Sequence, residues 1–395
     1  MLSAPSAAVV RATLPAVGAH LDEITERFYA GLFAAHPGLL RDLFNRGNQA
    51  AGTQRQALAG SIAAFAAHLL DHPEQRPDAM LHRIAHKHAS LGVAPEQYAV
   101  VHEHLFAAIA GVLGEAVTPE VAAAWDEVYW LMANALVAIE KRLYEESGEP
   151  GLRQWEVVER VEETADVATF RLRPVDGGPV PAFRAGQYVS VRVGLPDGAR
   201  QIRQYSLSGA PAETIRQISV KRVPGDGTSP DGEVSNHLHA RVREGDVLEL
   251  SAPYGDLVLD DAPDAPVLLA SAGIGVTPMI AMLAQLAEDG HRAPVTVVHG
   301  DRSPADHALR AEHEAYTAKL PDAALHLWYE QDAPAGARTG LVDLTGVAVP
   351  AGTRAYLCGP LPFMRSVREQ LLARGVAPAD IHYEVFGPDL WLARG

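Results

Sequence analysis

The chain has 395 residues, 48% of them hydrophobic and 21% charged, and carries a formal net charge of -16. That length exceeds one core and predicts two or three domains. The composition excludes a disordered chain, and the acid excess excludes nucleic acid and anionic membranes as partners.

The single cysteine, Cys358, excludes an internal disulfide and a thiolate cluster and fits a cytoplasmic protein. Histidine is therefore the expected protein ligand for a metal. The opening MLSAPSAAVVRATLP has no basic lead, and Arg11 interrupts its apolar run, so no signal peptide is expected. Residues 1–148 read as helices, rich in alanine, with Pro37, Pro77, Pro95 and Pro119 at expected first turns. On the early helix Tyr29 borders Phe28, Leu32 and Phe33. Over 52–71, Gln54 leads a stripe of Leu58, Ile62, Phe65 and Leu69.

The stretch HRIAHKHASLGVAPEQY (82–98) holds three histidines. In a helix over 77–91, Leu81, Ile84, Ala85 and His88 form one apolar face. His88 lies about 20° from Leu81 on the wheel, whereas His82 and His86 lie about 100° and 140° away and are expected to face solvent. A core imidazole needs a partner on each ring nitrogen, or a metal on one of them. After Pro95, Tyr98 leads Val101, Leu105, Ile109 and Val112. On the helix from about 119, Glu140 borders Met132, Leu136, Ile139 and Leu143. Taken singly, each polar residue fits a helix end or stripe margin with its head in water. A buried Glu140 would need a donor, and the His88 N–H is one. His36, His68, His72, His102 and His104 lack such a set and are expected at the surface or beside helices.

ESGEPGLRQW (146–155) is a hinge, after which the pattern changes. Short alternating runs from 153 to 258, separated by VDGG, LPDG and PGDG, predict an antiparallel barrel or sandwich. From 263, apolar strands alternate with helices, which predicts a parallel α/β sheet. Residues 265–287 carry no charge and are long enough to span a bilayer. SAGIGVTP in their midst reads instead as a turn from a buried strand into a helix, so no integral membrane segment is expected. There Thr277 reads as an N-cap and Pro278 as the first helical residue, and glycines 273 and 275 would let a diphosphate approach the helix amides. In RQYSL (203–207), Arg203, Tyr205 and Leu207 share one strand face, and Gln204 and Ser206 the other. An arginine can grip a diphosphate, a tyrosine can stack on a flat ring, and a serine can bond a ring nitrogen.

The ordered set GQY (186–188), RQYSL, VSNHLH, AGIGVTPM, YLCGP and FGP resembles that of the ferredoxin–NADP reductase family over residues 153–395. The resemblance implies FAD held by Tyr188, Arg203, Gln204, Tyr205 and Ser206, with Val234 and Ser235 near its diphosphate. It implies a nicotinamide nucleotide across Gly273, Ile274, Gly275, Val276, Thr277 and Pro278 and across Cys358, Gly359 and Pro360. Phe386, followed by Gly387 and Pro388, would cover the flavin ring. Val385 stands where many relatives have cysteine, and the stacking role of the phenylalanine does not depend on it.

With Phe44, Asn45, Asn48, Gln49 and the KH and PEQY motifs, residues 1–148 resemble the globin domain of flavohaemoglobins, whose layout continues into such a reductase. The implied fold is multi-domain: an all-α globin at 1–148, an antiparallel β-barrel FAD-binding domain at 149–262, and an α/β parallel-sheet NAD(P)-binding domain at 263–395. By this likeness His88 ligates haem b iron, with Tyr98 and Glu140 behind it. Tyr29, Gln54 and Leu58 form the distal pocket, and Lys87 lies near the haem edge, unless it is simply a solvated lysine.

The resemblance further implies nitric oxide dioxygenase activity: electrons pass from NAD(P)H through FAD to haem, and haem-bound O2 oxidises NO to nitrate. The partners implied are O2, NO and NAD(P)H, for a monomer. Two other readings are an O2 or NO sensor with a reductase that keeps iron ferrous, and a reductase for an external acceptor with a vestigial globin. A Glu140–His88 pair argues against the first, and the intact haem constellation against the second. Arg302 could bind a 2′-phosphate, but Asp301 beside it leaves NADPH or NADH open. Occupation of the distal pocket by a lipid is also left open.

Overall fold

The computed structural model describes residues 1–387 apart from residues 51, 149–150, 226, 228–229 and 263. The first unit is helical: α1 (Ala4–Ala19), α2 (Leu21–Ala35), α3 (Pro37–Asp42), α4 (Arg46–Ala50), α5 (Thr53–Asp71), α6 (Asp78–Leu91), α7 (Glu96–Leu113) and α8 (Pro119–Ser147). Local signals set the ends. Thr118 accepts from the Val121 N–H at 3.3 Å and Pro119 opens α8, while α6 stops at Gly92, whose φ of 73° suits glycine. Pro37 and Pro119 are first helical residues as expected, but Pro77 and Pro95 sit one position earlier, at the caps. Ile24, Phe28 and Leu32 of α2, Phe65 of α5, Leu105 of α7 and Leu136 and Ile139 of α8 share one core. A stretch apolar and long enough to cross a bilayer, Glu96–Ala116, comprises α7 and the turn after it, and packs on α2 as part of this unit.

The second unit contains β1 (Leu152–Glu162), β2 (Val167–Pro174), β3 (Tyr188–Gly194), β4 (Arg200–Ser206), β5 (Arg216–Lys221), α9 (Glu233–Arg241) and β6 (Val247–Ser251). Its antiparallel sheet runs β4-β3-β6-β1-β2-β5. An antiparallel bridge from Leu207 to Ile218 brings the two edges together, curling the sheet into a barrel.

The third unit contains β7 (Val267–Ala272), α10 (Val276–Glu288), β8 (Val295–Asp301), α11 (Arg310–Lys319), β9 (Ala323–Tyr329), β10 (Arg338–Thr339), β11 (Arg354–Cys358), α12 (Leu361–Ala373) and β12 (Ile381–Glu384). The parallel sheet runs β10-β9-β8-β7-β11-β12. From β7 the chain builds outward on one side, then returns to start β11 on the other, so the switch point lies between β7 and β11. Ligands bind at such a point, beyond the carboxyl ends of the strands. The uncharged stretch 265–287 is thus β7, a tight turn and α10, with most of its residues buried in this domain.

Candidate active site

The apolar face of α6 forms as its spacing demands. Leu81 and Ala85 are fully buried, and His88, one turn on, is half-buried because it faces a cavity. Its Nδ1 lies 2.8 Å from the Tyr98 hydroxyl and 2.9 Å from Glu140 Oε1, and the same hydroxyl lies 2.5 Å from that carboxylate oxygen. The phenol donates to the carboxylate, so the imidazole proton sits on Nδ1 and is shared between the two acceptors. Glu140, 2% exposed, thereby gains the donors its burial requires. Burial, reinforced by the Glu140 charge, pushes the Tyr98 phenol far above its ordinary range, which keeps it a donor. His88 Nε2 retains its lone pair and has no hydrogen-bond partner among the described residues. That is the donor set an iron porphyrin takes from a protein.

The cavity measures about 1020 Å³, at the upper end of the roughly 300–1,000 Å³ of small-molecule sites. Tyr29, Gln54 and Leu58 supply another part of its wall. Phe28, Phe33 and Phe44 pack around the Tyr29 ring, with centroids 4.7, 5.5 and 5.9 Å away. Burial drives the Tyr29 phenol far up, against a hydrogen bond from Gln54 that pulls it down, so it stays a neutral donor.

The same cavity continues to the barrel, where Tyr188, Arg203, Gln204, Tyr205, Ser206, Val234 and Ser235 line it. Five consecutive residues of β4, Ile202 to Ser206, line the cavity, residues of both strand faces among them, because β4 is an edge strand and the cavity wraps that edge. Ser206 Oγ is buried with no partner, an orphan that a flavin heteroatom would satisfy. Arg203 bonds Asn45 Oδ1 at 2.8 Å and Gln201 Oε1 at 3.1 Å. Phe386, 45% exposed, and Gly387 close the far side. Pro388 lies outside the described residues. The Lys87 ammonium donates to the Gly387 carbonyl at 2.9 Å and lines the cavity.

At the switch point the two glycine turns abut. A Cβ on Gly275 would fall 2.2 Å from the Cys358 carbonyl oxygen, and Gly273 takes a φ of 53°. Ile274 and Thr277 reach the cavity, whereas Val276, Pro278 and Cys358 are buried. Gly359 and Pro360 lie in the facing turn, ahead of α12. Thr277 is not the N-cap expected from its sequence. A 3-10 turn over Gly273–Gly275 makes Gly275 the cap, and Thr277 lies inside α10, donating to the Ile274 carbonyl at 2.9 Å.

His86 also departs from expectation. Its Nδ1 accepts the Gly255 N–H at 3.0 Å across the contact with the barrel, and His82 is half-buried. The helical wheel described α6 in isolation, and the barrel covers its outer face. Among the other histidines, His102 lies 2.7 Å from Asp126 and stacks on Phe106 and Trp130, while His36 touches the cavity wall. Sequence reasoning missed Glu384, which lines the cavity with Oε2 buried and unpartnered. Its signal was a carboxylate two residues before Phe386 in YEVFGP. Arg302 pairs with Asp306 and, at 3.4 Å, with Asp166.

Three family models match the chain in order: Globin over residues 26–136, an oxidoreductase FAD-binding domain over 154–259 and an oxidoreductase NAD-binding domain over 269–369. A flavohemoprotein of Rhizobium meliloti is 42% identical, covering 99% of this chain and 100% of that protein. The crystal structure of a flavohemoglobin from Malassezia yamatoensis with bound FAD and heme superposes with a TM-score of 0.91 at 38% identity, over 98% of this chain and 100% of that one. The flavohem-like FAD/NAD binding domain of nitric oxide dioxygenase from Vibrio cholerae covers 60% of this chain and 100% of its own, at 39% identity and a TM-score of 0.57. With the relative alignable from end to end and the His88 and β4 geometries in place, the chain belongs to the flavohemoprotein family.

Proposed function

We propose that this protein is a nitric oxide dioxygenase, drawing electrons from NAD(P)H through FAD to haem b to convert NO and O2 into nitrate. The observation that carries the reading is one cavity bounded by His88 and Tyr29 at one end and by Tyr205 and Phe386 at the other. When bound, FAD converts a hydride pair into single electrons, and haem supplies the iron on which O2 is reduced. The residues do the rest. His88 Nε2 would hold the iron, with Nδ1–H turned to Glu140 so that the imidazole is electron-rich. Tyr29, kept protonated and supported by Gln54, donates a hydrogen bond where negative charge develops, and Leu58 limits water. Tyr188, Arg203, Gln204, Tyr205, Ser206, Val234 and Ser235 would seat the flavin, and Lys87 would hold the Phe386–Gly387 segment against it.

We assign nicotinamide nucleotide to the crevice of Gly273–Pro278 and Cys358–Pro360, and the domains to residues 1–148, 149–262 and 263–395. The chain is taken as a cytoplasmic monomer, consistent with a single, buried cysteine. The apolar wall around Tyr29 and Leu58 would also admit a lipid chain.

The test adds NADPH, then O2, then pulses of NO to haem- and FAD-replete protein under an absorbance monitor. Catalytic loss of NO with about one nitrate formed per NO supports the assignment. A single stoichiometric reaction without turnover would instead make the protein a sensor with a repair module. That second reading has the Glu140–His88 pair against it, since a carboxylate-polarised imidazole favours electron flow to oxygen over reversible storage.

A further inference from the structure

His299, His307 and His313 converge in the interior of the nucleotide domain, none of them lining the cavity, with exposures of 0%, 4% and 0%. One ring nitrogen of each lies within 4.8 Å of the other two. The three come from the end of β8, the loop after it and α11. His307 Nε2 is 3.2 Å from His313 Nδ1, close to the separation of two nitrogens on a tetrahedral ion with bonds of about 2.0–2.1 Å. Two of the rings are oriented from behind: Ser271 Oγ lies 2.8 Å from His299 Nδ1, and the Tyr329 hydroxyl 2.8 Å from His307 Nδ1. That leaves the Nε2 atoms of both for the interior. Asp301 turns inward beside them. Its Oδ1 accepts the Arg302 N–H at 2.8 Å, while Oδ2, 3.5 Å from His299 Nε2, has no hydrogen-bond partner.

We propose that His299 Nε2, His307 Nε2 and His313 Nδ1 form a three-histidine site for a divalent metal of the zinc class, with the Asp301 carboxylate beside His299 and outside the ligand set. A hydrogen-bonded cluster without metal satisfies the His307–His313 contact, but leaves His299 Nε2 and Asp301 Oδ2 buried and unsatisfied, too far apart for a good hydrogen bond. A cation on the three rings satisfies His299 Nε2 and sets a positive charge beside Asp301. His313 Nε2 lacks a partner under either arrangement, so it does not discriminate. Burial, and then repulsion by His299, hold His307 and His313 well below the ordinary imidazole range. Neutral imidazole is the form that binds metal. Three imidazole ligands favour zinc over magnesium or calcium. Held by three buried rings away from solvent, the ion would serve the fold. It would clamp the loop from Arg302 to Leu309, whose left-handed φ of 54° begins α11, against β8.

The experiment determines zinc, iron and FAD in full-length holoprotein purified from zinc-supplemented medium, with the His307→Gln and His313→Leu variants alongside. The expected result is about one zinc per FAD in the wild type and zinc at background in both variants, with iron and FAD unchanged. X-ray absorption at the zinc edge of the wild type should show nitrogen at about 2.0–2.1 Å and outer-shell scattering from three imidazoles. That measurement decides the matter if the variants do not fold. Wild-type protein that carries no zinc and gains none on dialysis against a zinc salt overturns the proposal. So does zinc retained equally by both variants, or an absorption spectrum without three imidazoles.

Discussion

At the scale of single residues, the candidate site depends on where three protons sit. Tyr98→Phe removes one donor to the buried Glu140, a loss of about 1.5–3 kcal/mol for a hydrogen bond to a charged group. It should appear as a lower denaturant midpoint in the haem absorbance of the full-length protein. Under the proposed function, Tyr29→Phe deletes the donor that would face bound oxygen and should raise the O2 off-rate by about 2–4 kcal/mol equivalent, measured by stopped flow; an unchanged rate would remove Tyr29 from the mechanism. Glu384 is governed by burial, with Asp256 acting in the same direction and Lys87 and Arg83 against it, and its carboxyl rises to about 8. The folded, flavin-free protein therefore keeps this proton until about pH 8, whereas the unfolded chain releases it near the ordinary 4.5. Stability contributed by this proton is fully present below about 4.5 and is lost as pH rises through about 8. Glu384→Gln should flatten that part of the pH dependence in denaturant titrations of the flavin-free protein.

Among the elements, the tightest constraint is the contact of two turns. Gly275→Ala would drive a methyl group into the Cys358 carbonyl, with backbone on both sides. The variant should lose NAD(P)H-driven haem reduction while dithionite-reduced protein still binds O2, which steady-state and anaerobic spectra would separate. The elements themselves were largely legible. The period of Leu81, Ala85 and His88 identifies α6 and its buried face, because that face packs against helices of its own unit. The family resemblance placed Tyr98 beside His88, and the need of a buried Glu140 for a donor suggested its pairing with His88. Periodicity failed for His86, which is covered by a loop 169 positions away in sequence. Thr277 failed on a smaller scale, since a 3-10 turn moved the helix start forward.

For the whole molecule, the helical unit and the barrel are joined by directed polar contacts. Arg46 reaches Glu233 and Asp197, each at 2.6 Å, and the Gln201 amide donates to the Arg41 carbonyl at 2.9 Å. Arg46→Ala should slow reduction of haem by flavin severalfold, while ferricyanide reduction by the flavin domain stays unchanged; rapid-mixing absorbance reads both. The pairing of Arg203 with Asn45 puts the barrel strand and the helical unit in one hydrogen-bond network at the cavity wall.

Helix α6 does two jobs within a single turn. His88 points into the cavity, while His86, Lys87 and Ser90 bond the barrel or the C-terminal segment, through Gly255, Gly387 and Ser190. Two residues of helix rise only about 3 Å. The helix that positions His88 thus also carries the hydrogen bonds that seat the helical unit on the barrel, and both units belong to one chain. Internal electron flow should accordingly be indifferent to protein concentration, in contrast to a reductase and an oxidase that must find one another by diffusion.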